Sequence, residues 1–178
     1  MTGPIVLGSG VELFDLSARA RVGWKGPRAF EWLRSQGMEP PPGANRWMET
    51  ADGCLIARLG GSEFLAEDSS GGGSAARLRG VLENREPGVY PVPRYDTALL
   101  VAGPRLMELF SHVCALDLRP GKIAPDEVCF TTAVGIGVLL MPISPGPEFP
   151  HGGLRLWCDG SYGDYLRETL TRIGEGLR

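Results

Sequence analysis

The densest run of chemistry-bearing side chains in this chain is Glu67-Asp68-Ser69-Ser70, followed by Gly71-Gly72-Gly73-Ser74. Adjacent carboxylates accept hydrogen bonds and protons, and hydroxyls both donate and accept. The run leaves a predicted strand, Glu63 to Glu67, and enters a predicted helix from Ala75 to about Leu82. Free backbone N–H groups at that helix start suit a carboxylate or phosphate, but Glu67 and Asp68 repel an anion. A ligand that presents N–H donors fits them better. Glu67, Asp68, Ser69 and Ser70 are therefore the candidate ligand-binding residues. The competing reading of the same residues is a flexible surface loop with Ser74 as the helix cap.

Other chemistry is thin. Of the two histidines, His112 and His151, the first lies two residues from Cys114. No second pair stands at metal-ligand spacing, so no metal site is nominated. No G-x-S-x-G elbow positions a nucleophilic serine, and there is no phosphate-loop lysine motif. Gly8-Ser9-Gly10 lacks the third glycine of a dinucleotide fingerprint. Gly135-Ile136-Gly137 lies inside an apolar β run and reads as a bulge. The cysteines Cys54, Cys114, Cys129 and Cys158 form no C-x-x-C and read as free, mostly buried thiols of a reducing compartment. Arg19, Arg21, Lys25, Arg28 and Arg34 read as a solvated basic face, with an anion or partner contact as the sharper alternative. No residue is nominated as catalytic.

The elements that must position these residues come in two similar sets. Trp24-Lys25-Gly26-Pro27-Arg28-Ala29-Phe30-Glu31 returns as Val101-Ala102-Gly103-Pro104-Arg105-Leu106-Met107-Glu108. Each copy predicts a strand, a tight turn and a helix with Pro at its first position. The helices run from Pro27 to about Gln36 and from Pro104 to about Cys114. Asp52-Gly53 between two β-type runs predicts a hairpin. Ser161 with Asp164 resembles a capping box ahead of the last helix. Each half thus reads strand, helix, hairpin, strand, helix. The expected fold is α+β, with two pseudo-repeated ferredoxin-like (split βαβ) lobes at residues 1–88 and 89–178. A groove between such lobes is a natural ligand site.

A chain of 178 residues buries roughly 70% of its unfolded surface and needs no staples. Hydrophobic residues at 43% and charged residues at 22% fit a soluble globular protein. The net charge of -3 gives no reason to expect nucleic acid or an anionic membrane. No apolar run approaches the roughly 18 residues that span a bilayer. The first residues carry neither the basic region nor the long apolar segment of a signal peptide. A cytoplasmic location is the expectation.

Leu13-Phe14-Asp15-Leu16-Ser17, a basic-apolar strand, and Gly26-Pro27-Arg28-Ala29 with its helix resemble the opening of the tetrahydrofolate-binding domain of aminomethyltransferases, the glycine cleavage T-protein family. The second half is most similar to the gamma subunit of heterotetrameric sarcosine oxidase. The residues that carry this likeness are Val101-Ala102-Gly103-Pro104-Arg105 through Cys114-Ala115-Leu116-Asp117-Leu118, then Thr131-Thr132-Ala133 and Gly137-Val138-Leu139-Leu140. The resemblance covers nearly the whole chain and matches that subunit in length, whereas the T-protein has an additional C-terminal barrel. In the family, the loop after Phe64-Leu65 begins with Asn and carries, seven residues later, the aspartate that orients the folate nitrogen. Here Asp68 stands at the Asn position and Ala75 at the aspartate position. Alanine takes no proton, so carboxylate-assisted methylene transfer is lost at that position.

The resemblance implies a non-catalytic, folate-domain-like subunit of a sarcosine oxidase type complex in one-carbon metabolism. Its expected partners are flavoprotein oxidase subunits, with flavin carried by those partners alone. Tetrahydrofolate is the candidate ligand, with no covalently bound cofactor. The first alternative is a stand-alone aminomethyltransferase-like tetrahydrofolate-binding protein that uses Glu67 or Asp68 in place of the missing carboxylate. The second is a purely structural interaction module with a collapsed groove.

Overall fold

A computed structural model describes residues 5–7, 10–119, 121–147 and 149–177. The chain divides into two compact units. The terminal unit comprises Met1–Ser17 with Tyr95–Arg178, and the central unit comprises Ala18–Arg94. The chain opens with β1 (Ile5–Leu7) and β2 (Val11–Asp15) of the terminal unit. The central unit follows with β3 (Arg21–Lys25), α1 (Ala29–Ser35), β4 (Arg46–Glu49), β5 (Leu55–Arg58), β6 (Glu63–Glu67), α2 (Ser74–Leu82) and β7 (Tyr90–Val92). The terminal unit resumes with β8 (Thr97–Ala102), α3 (Leu106–Val113), β9 (Cys129–Ala133), β10 (Ile136–Ile143), β11 (Gly153–Cys158) and α4 (Gly163–Gly176). Among the described residues, no helix is long and apolar enough to cross a membrane.

The protein is α+β, with one antiparallel sheet per unit. The central sheet has the order β4-β5-β6-β3-β7. Because β6 is antiparallel to both β3 and β5, those two strands run the same way with β6 between them. Helix α1 lies on the connection from β3 towards them. The terminal sheet has the order β1-β2-β8-β11-β10-β9. There β8 and β10 run the same way with β11 between them.

Strand alternation decides which side chains meet the helices. In β3, Val22 and Trp24 enter the core with Phe64 and Ala66 of β6, Trp32 and Leu33 of α1, and Ala75, Leu78 and Leu82 of α2. Trp24 stacks on Phe64 at 5.4 Å between ring centroids and meets Trp32 edge-on at 5.3 Å. Burying each such ring contributes about 2–3 kcal/mol. The terminal unit has a core of its own. Leu99 and Val101 of β8 pack with Leu109 and Phe110 of α3 and with Leu166 and Leu170 of α4.

The doubled Gly-Pro-Arg now has a physical cause. Gly26 has φ +133, and a Cβ on it would lie 2.3 Å from the Gly88 carbonyl oxygen, just ahead of β7. Gly103 has φ +112, and its Cβ would lie 2.2 Å from the Gly10 carbonyl oxygen, just ahead of β2. Each glycine is the point where the start of a neighbouring edge-side strand passes against bare backbone.

Several expectations are corrected. The boundary after the central unit falls between Arg94 and Tyr95, and Met1–Ser17 does not belong to that unit. Strand β2 is registered on β8, from Glu12↔Ala102 to Asp15↔Leu99, so the N-terminal residues join the second half. Pro27 and Pro104 are not first helical residues, because Arg28 and Arg105 precede the helices as their caps. Gly135 forms no bulge. Val134 and Gly135, with φ 47 and 82, are the two central residues of the tight β9–β10 turn. Ser161 does not cap α4; its amide and hydroxyl both donate to Asp159. Gly8-Ser9 lies outside the described residues.

Candidate functional site

The candidate loop is built where β6 ends and α2 begins. Asp68 is buried, and its amide donates to the Ala20 carbonyl at 3.0 Å. Its carboxylate turns onto the start of α2, where the Ala75 amide donates to Oδ1 at 2.7 Å and the Ala76 amide to Oδ2 at 3.1 Å. Helix starts leave such amides without intrahelical partners, and a carboxylate there also meets the positive end of the helix dipole. Gly73, the residue ahead of α2, supplies no side-chain cap. Asp68 does that work from five residues earlier.

Ser74 therefore is not the cap expected from sequence. It is the first helical residue, and its hydroxyl donates to Asp52 Oδ2 at 2.7 Å. Asp52 also accepts from the Thr50 hydroxyl, and these two hydrogen bonds hold its carboxyl below the usual carboxylate range. Ser69 Oγ donates to the Asp52 carbonyl at 3.3 Å. The β4–β5 hairpin, the loop and the helix start are thus tied into one network. Ser70 is exposed.

Glu67 points elsewhere. In β6 it alternates with Phe64 and Ala66, so it leaves the sheet on the face opposite the helices. There it stands directly across from Arg21 of β3 and accepts from the Arg21 guanidinium, both side chains being buried. Arg79 of α2 donates to the Arg21 carbonyl. Arg21 is therefore not on the solvated basic face expected from sequence. The side chains of Glu67 and Asp68 part; one closes an ion pair and the other caps a helix. Ala75 is fully buried in the core beneath α2.

Sequence reasoning missed Asp52 and Arg21 as members of this region. Asp52 was legible only as a turn residue. Arg21 had a signal in its parity: it alternates with Val22 and Trp24 and so shares a face with Glu67 once β3 and β6 pair.

Thiol chemistry finds no support here. All four cysteines are free. Burial, reinforced by Asp68 and Asp52, pushes the Cys54 thiol up to about 12, and burial pushes Cys158 up to about 11. Both are poor sources of thiolate. Among the described residues, no group of three or more His, Cys, Asp or Glu is placed to hold a metal ion.

No protein-family model and no curated protein sequence matches the chain. Solved structures do. A chain of the heterotetrameric sarcosine oxidase of Corynebacterium sp. U-96, in complex with pyrrole 2-carboxylate, superposes with a TM-score of 0.73 at 20% identity. The match covers 97% of this chain and 88% of that one. The glycine cleavage system aminomethyltransferase T of Bartonella henselae superposes with a TM-score of 0.65 at 14% identity, over 92% of this chain and 46% of that one. The chain therefore has the fold of these proteins, and spans about half the length of the aminomethyltransferase.

Proposed function

We propose that this chain is a folate-domain-like subunit of a sarcosine oxidase type complex and performs no chemistry by itself. The carrying observation is the extent of the likeness. It takes in nearly all of both chains for the sarcosine oxidase, but about half of the aminomethyltransferase. In this reading the two units are a pseudo-repeat of ferredoxin-like lobes, the chain corresponds to the gamma subunit, and flavin resides in partner oxidase subunits. The complex would be cytoplasmic.

The local chemistry agrees with a supporting role. Asp68 and Glu67 are both spent on internal structure. Ala75 offers no acid or base. Of the four residues nominated from sequence, Ser70 alone keeps its side chain outside these contacts among the described residues, so both nominated carboxylates already have partners within the chain.

Affinity purification of the tagged full chain from its source organism tests the proposal. The expected result is recovery of flavin-containing subunits at fixed stoichiometry, with sarcosine-dependent peroxide production by the complex. A clean monomer without partners overturns it. Calorimetry with tetrahydrofolate separates the stand-alone folate binder: tight binding by the isolated chain favours that reading instead.

A further inference from the structure

We propose that the terminal unit carries a binding site for a small amphiphilic carboxylate, in a cleft of about 300 Å³ beside α3. This volume is that of a small-molecule pocket. The walls are apolar: Met107 from α3, Leu118 and Ile123 from the segment leading to β9, Ile143 from β10 and Leu154 from β11. Arg119 supplies the charge on the lining.

The guanidinium is held ready by its neighbour. Arg119 donates to Asp117 through Nε at 2.8 Å and through Nη2 at 2.7 Å. This side-on pairing fixes the plane of the guanidinium. Among the described residues it leaves both N–H groups of Nη1 uncommitted. A ligand carboxylate on Nη1 gains a charge-assisted hydrogen bond, while its hydrocarbon body covers the apolar walls. An alcohol of the same shape accepts only a neutral hydrogen bond there, and an ammonium accepts none. The site lies within one unit and is independent of the folate and oxidase readings.

Titration calorimetry of the full chain with octanoate, octanol and octylamine tests the assignment. Octanoate is expected to bind one to one, roughly tenfold or more tighter than either analogue. Arg119→Gln removes the positive charge and the guanidinium fork at an exposed position and is expected to bring octanoate down to the level of octanol. Met107→Trp starts from a half-exposed helix position, 40% accessible, and is expected to fill the cleft and abolish binding with an unchanged circular dichroism spectrum. No binding of octanoate at millimolar concentration, equal binding of octanoate and octanol, or an unaltered preference in Arg119→Gln overturns the proposal.

Discussion

The carboxylate of Asp68 grips the amide of Ala75, seven residues on, at 2.7 Å, and that of Ala76 at 3.1 Å. Asp68 is 4% accessible, so removing it leaves helix-start amides without an acceptor and with little access to water. Asp68→Ala is expected to cost about 2–3 kcal/mol, a lost cap plus an unsatisfied buried donor. Ser74→Ala removes only an exposed hydroxyl contact to Asp52 and should stay within about 1 kcal/mol. Urea denaturation of the two variants checks the order. Equal losses would mean that the cap is shared.

Ala75 stands where the resemblance puts a catalytic aspartate, but its side chain faces the core among Cys54, Leu78 and the strands of the central sheet. Ala75→Asp would bury a carboxylate there with Asp68 close by. The expected outcome is a loss on the order of 3 kcal/mol and no gain of folate chemistry. Thermal denaturation together with a tetrahydrofolate-dependent methylene-transfer assay checks it. A stable variant with transfer activity would restore the catalytic reading.

The buried pair of Arg21 and Glu67 calls for a double-mutant cycle. Each side chain is nearly inaccessible, at 3% and 1%. Removing one partner strands the other, so Arg21→Met or Glu67→Leu should cost about 3–5 kcal/mol. Combining the two substitutions removes the stranded charge and should return stability to within about 1–2 kcal/mol of the parent. Chemical denaturation of the four proteins gives the coupling energy. Additive losses in the double variant would show that the residues act separately.

Strong local signals were legible in the sequence. The doubled strand, turn and helix pattern gave α1 and α3 within two residues of their ends. Asp52-Gly53 gave the β4–β5 hairpin. What depended on pairing partners was not legible. The placement of β2 beside β8 is set by contacts across more than eighty residues, so the return of the N-terminal residues to the second half was not legible. Where the carboxylates of the candidate loop point was not legible for the same reason. Its composition shows two carboxylates, but strand parity and a helix start outside the motif decide where each one points.

The β9–β10 turn stores strain that a substitution can release. Val134 has φ 47 and Gly135 φ 82, the left-handed pair that a tight turn of this kind demands. Asparagine tolerates that region, whereas a β-branched side chain is strained there. Val134 is held in place from two sides. Its amide donates to the Val113 carbonyl at 2.8 Å, and its carbonyl accepts from the Tyr165 hydroxyl at 3.0 Å. Both contacts use the backbone and survive a change of side chain. Val134→Asn is therefore expected to raise stability by about 0.5–1 kcal/mol, the strain relief exceeding the loss of a partly buried apolar contact. Tyr165→Phe should lower it by about 1 kcal/mol. Thermal melts of the two variants check the pair. A drop in the asparagine variant would mean that valine packing outweighs the backbone strain.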